Sequence, residues 1–204
     1  MVRYLFFSLI FILALYIQCN GGLSLPPKSI NVSEKIDVYA LPNQWKTTKT
    51  EFTIESGKKA IKIVPHAEIS LQGIVRHVSE APFMRDAVTK SCALTWGKAN
   101  REEIQKQVKW DGFSSGFKYD PGSSGAADIV RRNFSNFYFA GATDNLRKAI
   151  RRIKVNQDIW IRGYLIDMHH PEGKWETPPP FEIRTDVCNM IWVTQLKIGN
   201  RLYQ

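Results

Sequence analysis

The run from Thr143 to Met168 constrains the fold of this 204-residue chain more than any other stretch. Leu146, Ala149, Ile150 and Ile153 recur at i, i+3, i+4 and i+7, the stripe of an amphipathic helix. Thr143 stands where an N-cap belongs, and Asp144 sits in the first turn, where the helix dipole favours an anion. Arg151, Arg152 and Lys154 crowd the last turn, where cations are favoured. Asn156 and Asp158 supply turn chemistry, and a strand follows. That strand sets Ile159, Ile161, Gly163 and Leu165 on one face and Trp160, Arg162, Tyr164 and Ile166 on the other.

The same strand signature occurs once earlier. In Glu68 to Val78, Ile69, Leu71, Gly73 and Val75 alternate as Ile159, Ile161, Gly163 and Leu165 do. Glycine inside a strand costs stability, so a repeated one marks a bend or a close backbone approach. Lys58 to Pro65 reads as a short leading strand that the proline ends. Cys92 to Gly97 is a further strand, Arg101 to Val108 a short helix or loop, and Gly116 to Tyr119 holds a third strand. Pro121 to Ala127 is glycine- and serine-rich loop. Asn133 to Ala140 is an aromatic lead into the helix, and His169 to Pro180 is a loop before a last strand, Asn189 to Ile198. The order strand, strand, strand, helix, strand, strand predicts a mainly β fold with one central amphipathic helix (α+β), arranged as a small OB-like five-stranded barrel. Residues 59–204 form that domain, 23–58 a partly ordered lead-in arm, and 1–22 a signal peptide or N-terminal membrane anchor.

Arg3 followed by the apolar run Leu5 to Ile17 has the form of a targeting segment, shorter than the roughly 20 residues that span a bilayer. Cleavage, retention as an anchor and lipidation at Cys19 all export the remainder, to a periplasmic, extracellular or membrane-anchored location. In an oxidising compartment Cys92 and Cys188, each beginning a strand, are expected to pair as a disulfide. The formal net charge of +9 suits anionic lipid, anionic envelope polymers or a basic solvated surface, with nucleic acid the least favoured partner.

The strand Ile69 to Val75, the strand Cys92 to Gly97, the run Phe134 to Tyr138, the strand Ile159 to Leu165 and the run Ile191 to Thr194 resemble those of an uncharacterised group of exported or membrane-anchored bacterial proteins with an OB-like β-barrel. The group carries Ser-Asn-x-His before its helix. Here Ser135-Asn136-Phe137-Tyr138 places Tyr138 at the histidine position. The resemblance brings no activity with it.

Chemical motifs are sparse. His169, His170 and Glu172 could ligate zinc or copper with help from His66 or His77, but adjacent histidines on extended chain point oppositely, so no metal or cofactor is expected. Cys92 and Cys188 lack a nucleophile signature, and Asp111, Asp120 and Asp128 sit in turn contexts. Phosphate-cradling glycine loops, GxSxG elbows and HExxH helices are missing from the sequence. Ligand contacts are expected instead from Phe83, Arg85, His169, His170, Trp175 and Phe181, in the loops that border the binding face of such barrels. Arg147, Lys148, Arg151 and Arg152 form an expected patch for anionic surfaces. The reading is an exported, non-catalytic binding or envelope-associated module, and its alternative is a hydrolase or nuclease acting on an anionic polymer.

Overall fold

A computed structural model describes residues 25–56, 59–80, 87–110, 116–176 and 188–204. The strands are β1 (Ile30–Asn31), β2 (Asn43–Lys46), β3 (Phe52–Ser56), β4 (Lys59–Ser79), β5 (Lys90–Thr95), β6 (Val108–Trp110), β7 (Phe117–Tyr119), β8 (Phe134–Gly141), β9 (Asp158–His170), β10 (Gly173–Trp175), β11 (Cys188–Ile198) and β12 (Arg201–Tyr203). The helices are α1 (Glu102–Gln105), α2 (Ser124–Arg132) and α3 (Asp144–Arg151).

The long strand β4 organises the rest. It pairs with β9 along one edge, and with β3, β2 and β5 in succession along the other. Pro65 does not end it. The pairing steps from Pro65 opposite Ile166 to Ala67 opposite Leu165, skipping His66, so the proline lies at a bulge where the ladder is already irregular. A second step, between Val75 and His77, sets Arg76 out of register.

From β5 the ladder passes to β8, then in parallel to β11, and β11 also pairs with β9. Pairings among β4, β5, β8, β11 and β9 thus run in a ring. Ala67, Ile69, Leu71, Leu94, Phe137, Phe139, Ile161, Leu165, Ile191 and Val193, drawn from these strands, form one buried cluster. The apolar stripe of α3 (Leu146, Ala149 and Ile150) joins the same core, followed by Ile153. Thr143 caps α3 as expected, its hydroxyl accepting from the Leu146 N–H at 3.2 Å.

The expected small OB-like five-stranded barrel is overturned. Ten strands make one mixed sheet, β1, β2, β3, β10 and β12 extending it beyond the five, and β6–β7 form a separate hairpin. The mainly β class stands. A second apolar cluster (Ile61, Ile63, Ile166, Met168, Met190 and Trp192) covers another face of the sheet, and a third packs Ile104, Val108, Val130 and Phe134 beneath α1, α2 and the hairpin. Burial on both faces explains why β8 escaped the reading as a strand. With both faces apolar, its period-2 signal is lost. Tyr138, at the position where the resembled group has histidine, is half-buried on β8 against the second cluster. The third strand of the ring is therefore β8 and not Gly116 to Tyr119. The segment read as loop from Pro121 to Ala127 contains the start of α2, and β9 runs on to His170, with β10 just beyond it.

Val38 accepts hydrogen bonds from the Gly97 N–H (3.1 Å) and Asn100 Nδ2 (2.7 Å). The pairing of Cys92 with Cys188 meets a geometric obstacle. Cys92 lies opposite Phe137 and Cys188 opposite Asn136, so β8 runs between the two cysteine-bearing strands. Two strand spacings are about 9–10 Å, beyond the roughly 7 Å limit between disulfide Cα atoms. Cys92 is buried as a free thiol.

Candidate functional site

The turn after α3 builds one wall of a large cleft. Asn156 adopts a left-handed φ of 64°, a conformation asparagine tolerates. Its N–H donates to the Val75 carbonyl at 2.7 Å, and the Val75 N–H donates to the Gln157 carbonyl at 3.0 Å. The turn is thereby fastened to β4 beside the second bulge. Gly199, with φ of 55°, reverses β11 into β12 and brings Asn200 and Arg201 to the opposite wall.

Lys90, at the start of β5, closes the floor. Its Nζ donates to the carbonyls of Arg151 (2.7 Å) and Ile153 (2.8 Å), which α3 leaves without helical partners. Burial holds the Lys90 ammonium below the usual lysine range, partly offset by Cys92 and Glu80. The resulting cleft has a volume of about 1250 Å³ and, among the described residues, is lined by Lys90, Arg151, Arg152, Lys154 and Arg201, with Asp158 the one carboxylate. Asn31, Asn156 and Asn200 add amide groups, and Tyr203 adds an aromatic wall. Such a space suits an anionic ligand larger than an isolated ion.

Of the expected basic patch, Arg151 and Arg152 line the cleft exposed, and Lys148 lies half-buried beside them on α3. Arg147 is engaged elsewhere. It bonds Asp144 at 2.5 Å and the Gly141 carbonyl at 3.1 Å, and that guanidinium holds the Asp144 carboxyl below the usual carboxylate range.

Of the expected loop site, His169, His170 and Trp175 are described. Phe83, Arg85 and Phe181 lie outside the described residues. His169 and His170 sit on successive positions of β9, one half-buried and one buried, on opposite faces. His170 meets Trp175 edge to face at 6.0 Å between ring centroids, and its Nδ1 accepts from the Glu172 N–H at 3.1 Å. His77 lies near the other end of β4, opposite Ala93, while His169 pairs with Lys62. Among the described residues no group of three His, Cys, Asp or Glu side chains is placed to hold a metal ion. His66 Nε2 lies 2.7 Å from Asp167 Oδ2, though outside hydrogen-bond angles.

Burial pushes the Cys92 thiol up to about 12, only partly opposed by Lys90, so at neutral pH it is a packed thiol and no nucleophile. Asp120 is exposed, and Asp128 pairs with Arg131 on the surface of α2.

No protein-family model, no curated protein and no solved structure matches the chain. The resemblance drawn from its motifs therefore rests on those motifs alone.

Sequence reasoning missed Lys90, Lys154, Arg201 and the three asparagines. Their turns lie far apart in the chain, and the common signal was faint. Asn156 and Gly199-Asn200 were legible as turns, yet nothing local said that the turns would meet.

Proposed function

We propose that this chain is an exported, non-catalytic binding module that holds an anionic polymer or surface across the cleft at the C-terminal end of α3. One observation carries the reading. Among the described residues, five cationic side chains from β5, α3, the turn after it and β12 line one large cleft, with a single carboxylate beside them. Lys90 is occupied with helix carbonyls, which leaves Arg151, Arg152, Lys154 and Arg201 exposed. Exposed cations spaced around a groove attract a polyanion over about a Debye length, roughly 8 Å at physiological ionic strength.

Titration of dextran sulfate into the protein tests this, with bound and free polymer separated and polymer length followed in the same samples. The expected result is saturable binding by the parent. A variant with Arg151→Gln, Arg152→Gln, Lys154→Gln and Arg201→Gln should bind at least tenfold more weakly, with an unchanged melting curve. Equal affinity of parent and variant would overturn the cleft. Shortening of the polymer would overturn the non-catalytic part and favour the hydrolase alternative.

A further inference from the structure

The partner of this cleft follows from what surrounds it, and the inference rests on the anion-binding reading above. Asn145 on α3 clasps the arm. It accepts from the Lys28 N–H at 2.7 Å, and its Nδ2 donates to the Lys28 carbonyl and to the Gln204 carbonyl, each at 2.9 Å. Asn145, Lys148 and Arg152 stand at i, i+3 and i+7, so the clasped arm runs onto the stripe of α3 that leads to the cleft.

Large apolar side chains are exposed on several parts of the surface, two of them at or beside this cleft. Ile30 on β1 is 61% exposed next to the cleft residue Asn31, and Val155 in the cleft wall 44%. β1 pairs with β12, which carries Arg201. Basic side chains interleaved with exposed aliphatic ones are the composition of an interfacial membrane surface, in which cations meet anionic headgroups and apolar side chains enter the acyl boundary. A soluble polyanion would give the aliphatic residues nothing to contact.

The position of the arm points the same way. The apolar run Leu5 to Ile17 precedes Lys28 by ten intervening residues, 18–27. Ten residues reach at most about 35 Å when fully extended. An N-terminus held in a bilayer therefore keeps the Lys28 clasp, and α3 with it, near that bilayer.

We infer that this end of the molecule, comprising Lys148, Arg151, Arg152, Lys154 and Arg201 with Ile30 and Val155, docks on an anionic lipid surface. The docked headgroups occupy the cleft mouth. The opposite end, where β9 finishes at His170 and β10 carries Lys174, faces away from the lipid. Asp158 to His170 spans 13 residues, which at about 3.3 Å each is roughly 40 Å.

The test uses the full chain in lipid nanodiscs made from phosphatidylcholine alone or mixed with phosphatidylglycerol at about 7:3. An amine-acylating reagent is applied, and modification is read lysine by lysine. Lys148 and Lys154 are expected to react at least threefold more slowly on the anionic discs. Their protection should vanish in about 0.5 M salt, where the screening length falls to about 4 Å. Lys174 should react equally on both discs.

Equal reactivity of Lys148 and Lys154 on the two lipids would overturn lipid docking. Protection that follows protein density in place of lipid charge would also overturn it and assign the face to a second copy. Dextran sulfate binding in the same preparation separates the two claims. If the polymer binds while the lysines stay unprotected, the cleft is an anion site whose partner is not lipid. If neither occurs, both readings fail.

Discussion

Gly163 on β9 lies so close to the carbonyl oxygen of Trp192 on β11 that a Cβ built on it would fall inside van der Waals contact with backbone atoms. Gly73 stands likewise to Thr95, whose carbonyl oxygen would be 2.5 Å from the added carbon. The two glycines therefore mark close backbone approaches between neighbouring strands of the ring. Backbone cannot rotate aside as a flexible side chain would. Gly163→Val should destabilise by about 3 kcal/mol or more, and Gly73→Val by about 2, at the upper end of ordinary overpacking. Gly122, with no atom near its missing Cβ, should tolerate alanine within about 0.5 kcal/mol. Urea unfolding of the three variants checks the ranking.

The helix α3 separates packing from capping. Ile150 is fully buried in the main apolar cluster. Ile150→Asp should leave the chain unfolded, because an unpaired buried charge costs more than a domain's roughly 5–15 kcal/mol margin can absorb alongside the lost packing. Thr143→Ala removes the cap on the Leu146 N–H and should cost about 1 kcal/mol. Arg151→Ala, on the exposed side, should stay within about 0.5 kcal/mol. Thermal melts by circular dichroism distinguish the three outcomes.

Much of this was legible from local pattern alone. The stripe of α3, its threonine cap and the alternation of β9 are dictated by residues close in sequence, and they appear as read. β8 was not legible, because Phe137 and Phe139 serve one cluster while Phe134, Tyr138 and Ala140 serve others, which removes the contrast between faces. Pro65 misled for a different reason. A missing N–H matters only where the ladder needs it, and the bulge at His66 relieves that need. The cleft lay beyond reach, since it joins Asn31, Lys90, Arg152 and Arg201 through tertiary pairing and not through any local period.

Asn100 ties the arm to the sheet. Its Nδ2 donates to the carbonyls of Val38 (2.7 Å) and Thr95 (3.0 Å), and its Oδ1 accepts from Arg76 (3.1 Å) and the Thr95 hydroxyl (2.5 Å). Burial lowers the Arg76 guanidinium to about 10, partly offset by Asp158, so that cation depends on these partners. Asn100→Ala should cost about 3 kcal/mol, since it strands several buried polar groups at once. The arm should also loosen locally. Limited trypsin digestion is expected to cut after Lys35 faster in the variant than in the parent under conditions where both remain folded.

Cys92 predicts an alkaline stability loss. Its folded pKa of about 12 lies above the ordinary value of 9.0 because burial disfavours the thiolate. Stability from this group is complete below pH 9 and is lost as pH rises toward 12, because the unfolded chain releases the proton first. At pH 10, one unit above the unfolded value, the loss is about 1.4 kcal/mol. Cys92→Ala should start less stable at pH 8 from its small cavity, yet lose about 1.4 kcal/mol less than the parent between pH 8 and 10. Parallel slopes in urea unfolding would show that the thiol ionises freely in the folded state.

Two charge-reversed proteins separate the placement of charge from its total. Arg151→Glu with Arg152→Glu, and Lys46→Glu with Lys174→Glu, each lower the formal net charge from +9 to +5, since every reversal removes two units. The first pair lines the cleft, and the second lies on β2 and β10. Dextran sulfate affinity at a fixed, physiological salt concentration is the measurement. The cleft pair should lose at least tenfold, more than about 1.4 kcal/mol, and the distal pair less than twofold. Equal losses for the two proteins would contradict an anion site in the cleft and reduce the cleft to part of a uniformly basic surface.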